Sequence, residues 1–163
     1  MQICQRKFII PAIKIKQEKL VAMDFPKILV PVADTPADAE AIKLACSLAK
    51  KNKGVIYAVY VITVKRSLPL DAEIEPEIEK AERILDKAEN VAEEQDWNIE
   101  TDVLQAREVG PAIVDEAAEK AVDLIIMGIT YKRRFGQFSL GSVVPYVLKN
   151  APCRVILYHQ YIP

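Results

Sequence analysis

Gly141 and Ser142 precede Val143-Val144-Pro145-Tyr146-Val147-Leu148, an apolar run with the length of a short helix. A helix start of this kind offers phosphate chemistry. Glycine lets the backbone approach an anion closely, and the first helical turn carries N–H groups without intrahelical partners at the positive end of the helix dipole. With Ser142 as N-cap, Pro145 falls at the third helical position, so the donors left for a ligand are the amides of Ser142, Val143 and Val144. The competing reading is plain capping, because serine after glycine is a common helix opening. No GKS or GKT follows and no GxGxxG is present, so this is neither a Walker loop nor a dinucleotide fingerprint.

Upstream, Lys132, Arg133 and Arg134 form a run of three cations after Tyr131. They read either as a solvated loop tip or as charge-assisted contacts to phosphate. Tyr131 reads as a packing residue that closes a cleft or as a platform for a base. Other chemistries lack their parts. The single histidine, His159, is not followed or preceded by a metal-ligand spacing in the sequence, and no Ser-His-Asp or Cys-His arrangement stands out. Carboxylate runs such as Glu73-Ile74-Glu75-Pro76-Glu77 fit a solvated helix face rather than a metal site. Catalysis is therefore limited to slow ATP hydrolysis at most, by bound water with Asp34 or Ser142.

The elements that must position these groups alternate. Continuous apolar runs of strand length occur at 27–32, 55–64, 122–128 and 153–159, with an alternating run at 99–106. Helical patterns lie between them. Thr35 suits an N-cap, Pro36 the first helical position, and Asp38 the third; Ala41, Leu44, Ala45 and Leu48 share one face, and Gly54 ends that segment. Further helices are predicted over 76–95, from Gly110-Pro111 onward, and over 142–149. Strands alternating with helices give an α/β fold: a three-layer α/β/α sandwich around a five-stranded parallel sheet, with predicted order 3-2-1-4-5. In that order strands one and four meet where the winding reverses. Ligands of such sheets bind beyond the C-terminal strand ends at that point, which selects the loops 33–36 and 128–141.

With 163 residues the chain suits one domain, and a net charge of −1 gives no broad footprint for nucleic acid. Cys4, Cys46 and Cys153 are scattered without a CxxC pair, which fits a reducing cytoplasm. The apolar stretch Phe8 to Ile13 is interrupted by Pro11 and is too short to span a bilayer. Residues 1–24 are expected to be an N-terminal extension, peripheral or disordered, and residues 25–163 the domain. The last strand, Cys153 to His159, is an apolar sheet edge of the sort that invites pairing with a second copy.

The segments around Lys27-Ile28-Leu29-Val30-Pro31-Val32-Ala33-Asp34-Thr35-Pro36, Pro111 to Gly128 and Leu140 to Leu157 resemble the universal stress protein family over about Lys27 to Leu157. The resemblance implies the adenine nucleotide alpha hydrolase-like sandwich and a homodimer through the last strand. It also implies a site for ATP (with Mg²⁺) or AMP on a loop of pattern G-x2-G-x9-G-[ST]. Gly128 matches the first glycine, Gly141-Ser142 match the final pair, and the middle position holds Tyr131. Where the family commonly reads V-D-x-S, this chain has Ala33 at the Asp position and Asp34 one later. The nucleotide-binding set so implied is Pro31, Val32, Ala33, Asp34, Val61 and Met127 from the strand ends. Gly128, Tyr131, Arg133, Gly141, Ser142 and Val143 complete it from the loop. The segment from Tyr131 to Val155 also resembles stress-protein domains attached to transporters. That implies an alternative, a scaffold module without ATP affinity that senses another anion, such as a cyclic dinucleotide, or docks on a protein or transporter partner.

Overall fold

The computed structural model describes residues 24–130 and 139–159. The N-terminal extension up to Met23, Tyr131 and the Lys132-Arg133-Arg134 run lie outside the described residues. Nine elements follow one another: β1 (Lys27–Pro31), α1 (Pro36–Ala49), β2 (Val55–Thr63), α2 (Glu75–Glu93), β3 (Glu100–Ala106), α3 (Val109–Glu119), β4 (Leu124–Ile129), α4 (Val143–Asn150) and β5 (Arg154–His159). The sheet order is β3-β2-β1-β4-β5 and every pairing is parallel, as the alternation of strands and helices predicts.

Strand alternation divides the core between the two faces of the sheet. Ile28, Val30, Ile56, Ala58, Leu124 and Ile126 point into a layer with Ala41, Ile42 and Ala45 of α1 and Ile84, Leu85 and Ala88 of α2. Leu29, Val59, Val61, Ile125 and Met127 point into the opposite layer with Ile113 and Ala117 of α3 and Val144 and Val147 of α4. Both faces are covered, which is why the inner strands are apolar without alternation.

Helix boundaries differ from the sequence pattern in instructive ways. Lys50, Lys51 and Lys53 lie beyond α1, and Lys53, not Gly54, takes the left-handed backbone at φ 54°. Gly54 is needed for space instead: a Cβ there would stand 2.7 Å from the Phe25 carbonyl oxygen. After α2, Asp96 is left-handed (φ 54°) and the Trp97 N–H donates to the Ala92 carbonyl at 3.0 Å. Trp97 packs against the α1/α2 core at the N-terminal end of β3. Arg107, just past β3, donates to the carbonyls of Val64, Lys65 and Leu68 and so holds the loop after β2. Among the described residues no helix is long and apolar enough to cross a membrane.

Candidate functional site

The ladder between β1 and β4 is short. Its register pairs are Ile28↔Leu124 and Leu29↔Ile125, whereas β2 and β3 stay paired from Tyr57↔Glu100 to Thr63↔Ala106. Beyond Leu29 and Ile125 the two central strands run on without sharing a ladder, and Pro31 has no N–H to contribute. In an open parallel sheet of this order the switch point lies at the C-terminal ends of these two strands. The turn from β1 to α1 borders it on one side and the start of α4 follows from β4 on the other.

The β1–α1 turn is organised from within. Val32 is buried and its N–H continues the ladder to the Val59 carbonyl at 2.9 Å. The Asp38 carboxylate, 8% exposed, then accepts three hydrogen bonds: from the Ala33 N–H (2.9 Å), the Thr35 N–H (2.8 Å) and the Thr35 hydroxyl (2.7 Å). The spacing of cap and third helical residue makes this reach-back feasible, and Pro36 fixes the helical entry between them. A buried carboxylate is tolerable here because its oxygens are well supplied with donors. The Ala33 amide is consequently engaged within the chain.

Asp34 goes the other way. Its backbone is left-handed (φ 59°), a conformation open to Asp and Asn more than to other non-glycine residues. Its Oδ1 accepts from Lys87 Nζ of α2 at 2.8 Å. The Lys87 hydrogen bond holds the Asp34 carboxyl below the ordinary carboxylate value, with smaller attraction from Lys80 and Arg83. Asp34 stands one position after Ala33, where a small loop shift would let it replace the missing carboxylate. The structure instead places that carboxylate against α2.

Gly128, at the end of β4, has a packing reason for being glycine. A Cβ on it would stand 2.7 Å from the carbonyl carbon and oxygen of Ala37, so α1 can start over β4 only if this position is bare. Met127 and Val61 are 6% and 9% exposed and belong to the α3/α4 core, which leaves only their edges for a ligand.

The start of α4 contrasts with all of this. Gly141 is left-handed (φ 70°), and a Cβ added to it would meet nothing within 4 Å among the described residues. Glycine is favoured here by the backbone conformation itself. The Gly141 N–H donates to Ser139 Oγ at 3.3 Å. Ser142 occupies the N-cap position, but with helical angles (φ −95°, ψ −28°) and no capping hydrogen bond from its side chain. Plain serine capping therefore does not describe it. Pro145 is the third helical residue, and among the described residues no acceptor takes the amides of Ser142, Val143 or Val144. Gly141 and Ser142 are exposed, as an anion site requires.

Among the described residues no group of three or more His, Cys, Asp or Glu side chains could hold a metal ion. The structure brings Pro31 to Asp34, Val61, Met127 and Gly128 to the C-terminal strand ends, with Gly141 to Val143 opening the next helix. Two further residues, Asp38 and Lys87, shape the site and were not in the predicted set. Asp38 had a local signal, its position three residues after Thr35. Lys87 had none, because it lies 53 residues from Asp34 in sequence.

Residues 24–159 match the family model described as the universal stress protein family. A universal stress protein of Methanocaldococcus jannaschii is 34% identical over 139 residues, covering 82% of this chain and 81% of that protein. A universal stress protein from Archaeoglobus fulgidus has a similar structure, with a TM-score of 0.69 and 22% identity over 80% of this chain and 96% of that one. A structure of an A. fulgidus universal stress protein in complex with dAMP gives a TM-score of 0.65 and 23% identity, over 83% of this chain and 98% of that one. A family protein from Arabidopsis thaliana with AMP bound gives 0.59 and 16%, over 83% and 92%.

Proposed function

We propose that this chain, which belongs to the universal stress protein family, is a regulatory protein that binds an adenine nucleotide or related anion at the β1/β4 switch point. The observation that carries the reading is the start of α4. Among the described residues, Gly141 in its left-handed turn has open space around it and is followed by backbone donors with no acceptor. An anion placed there would satisfy those donors and the positive end of the helix dipole together. The dAMP and AMP complexes of proteins with this fold support an adenine nucleotide as the ligand class. AMP needs no metal. If ATP binds, Mg²⁺ is best supplied on its phosphates, since no described carboxylate cluster would hold the ion by itself.

The test is a thermal-shift series with AMP and ATP on the full chain, preceded by mass identification of any co-purified small molecule. Ser142→Asp should keep or raise the melting temperature of the free protein, because a carboxylate at an N-cap is favourable. The same substitution should abolish the nucleotide-induced shift, because it places a negative charge on the phosphate position. An unchanged shift in this variant would remove the phosphate from the α4 start.

A second reading, a scaffold module without ATP affinity, is favoured by one observation: Asp34 is engaged by Lys87. The turn therefore presents the Ala33 methyl where the family carries a nucleoside-contacting carboxylate. No shift with either nucleotide would select this reading. In both readings the chain works in the cytoplasm as a homodimer through β5, which among the described residues pairs only with β4 and carries half-buried Val155, Ile156, Leu157 and Tyr158. A monomer in equilibrium sedimentation at micromolar concentration would remove the dimer.

A further inference from the structure

Helix α2 is acidic along its outer face, yet its three cations, Lys80, Arg83 and Lys87, are spaced three and four residues apart. At 3.6 residues per turn they fall within an arc of about 60° on one flank. That flank borders the β1–α1 turn. Lys87 reaches Asp34, and Tyr60 of β2, facing Lys80, pushes that ammonium pKa up. Arg83 has a distant exposed partner in Glu79, at 4.0 Å. Beneath the Lys87–Asp34 pair lies a cavity of about 90 Å³ with an apolar lining that includes Val32, Ile42 and Ile84.

We propose that this flank of α2 is an anion-binding surface for a phosphate-bearing small molecule, and that Asp34 competes for it from within the chain. The site is separate from the α4 start and does not rest on the nucleotide reading. Asp34 reaches Lys87 from another element and does so in a left-handed backbone conformation. Both partners are well exposed, with side-chain exposures of 67% for Lys87 and 48% for Asp34. A pair of that kind contributes little net stability, so a stronger anion displaces it readily. Phosphate carries more charge than one carboxylate and offers several oxygens, which suits two ammonium groups and a guanidinium on one helix flank. Asp34 thus lowers the affinity of the surface without closing it, and weakly charged anions are discriminated against.

The test titrates inorganic pyrophosphate into the full chain by calorimetry at low ionic strength. Asn adopts the left-handed conformation as readily as Asp, so Asp34→Asn keeps the turn while removing the competing charge. It should bind pyrophosphate about three- to tenfold more tightly than the wild type, and the gain should fade at high salt. Adding Lys87→Gln to that variant should erase the gain. Asp96→Asn is the control: it makes the same charge change at another left-handed exposed Asp, at the opposite end of the sheet. It should leave affinity unchanged. Repeating the series with AMP and adenosine identifies the source of the phosphate. A gain with AMP but not adenosine assigns the surface to a nucleotide phosphate, and a gain with pyrophosphate alone assigns it to free phosphates. The proposal is overturned if Asp34→Asn binds no anion more tightly. A gain that survives Lys87→Gln, or that Asp96→Asn reproduces, overturns it equally.

Discussion

The N-terminus of α1 is closed by its own chain, whereas that of α4 is left open by the described residues, although both helices begin at the C-terminal ends of adjacent strands. At α1 the buried Asp38 carboxylate collects two backbone amides and a hydroxyl from the turn before it. At α4 the Ser142 side chain makes no capping bond, and a left-handed glycine with no described neighbour near its Cα hydrogen precedes it. The first arrangement spends its polar groups on rigidity. The second keeps donors available to something outside the chain. A helix dipole alone would not distinguish the two starts; the side chains within three residues of each cap do.

The comparison breaks most severely at Gly128, which lets α1 begin where it does. Gly128→Val would drive a branched side chain into the backbone of Ala37, at a point where even a methyl group stands 2.7 Å from carbonyl atoms. Overpacking of this sort should cost about 3 kcal/mol or more, read as a lower urea midpoint at unchanged slope. Wild-type stability in this variant would mean that α1 does not rest on β4 there.

A paired substitution sharpens the contrast between the two helix starts. Asp38→Ala removes every acceptor that the Ala33 and Thr35 amides use, and should cost about 2–3 kcal/mol in urea denaturation. Ser142→Ala deletes a hydroxyl without a capping role and should change stability by less than about 0.5 kcal/mol. Equal losses from the two would show that α4 is capped after all, and the open-donor description of its start would go.

The smallest effect concerns the outer tether of the β1–α1 turn. Asp34 has a depressed carboxyl pKa, caused first by its hydrogen bond with Lys87. A depressed folded-state value means that the unfolded chain binds the proton more tightly, so the pair stabilises the fold above the unfolded value of about 3.9. That contribution disappears as pH falls through the lower folded value. Because the pair is solvent-exposed it amounts to less than about 1 kcal/mol. Carboxyl carbon NMR titration should show the Asp34 midpoint rising towards the ordinary value in Lys87→Gln, and an unmoved midpoint would mean that the pair does not form in solution.

The sheet order was legible because buried parallel strands and amphipathic helices leave different periodicities, and handedness restricts how they connect. Asp38 was legible in part, since reach-back capping is a local pattern. The roles of Gly128 and Asp34 were not, because each depends on an atom brought close by tertiary packing: the Ala37 carbonyl for one, the Lys87 ammonium for the other. A glycine matching a phosphate-binding motif can equally be a glycine on which a helix rests. Sequence gives both the same letter. Tyr131 and Arg133 keep their two sequence readings, as they lie outside the described residues.

Trp97, the single tryptophan, packs at the N-terminal end of β3, across the sheet from both helix starts. Its fluorescence is therefore an internal gauge of global integrity that is insulated from the ligand end. In the variants above, an emission spectrum that stays constant while anion affinity changes would certify a local effect. A ligand that did alter the indole emission would be reporting a rearrangement transmitted along α2, whose last turn the indole ring follows.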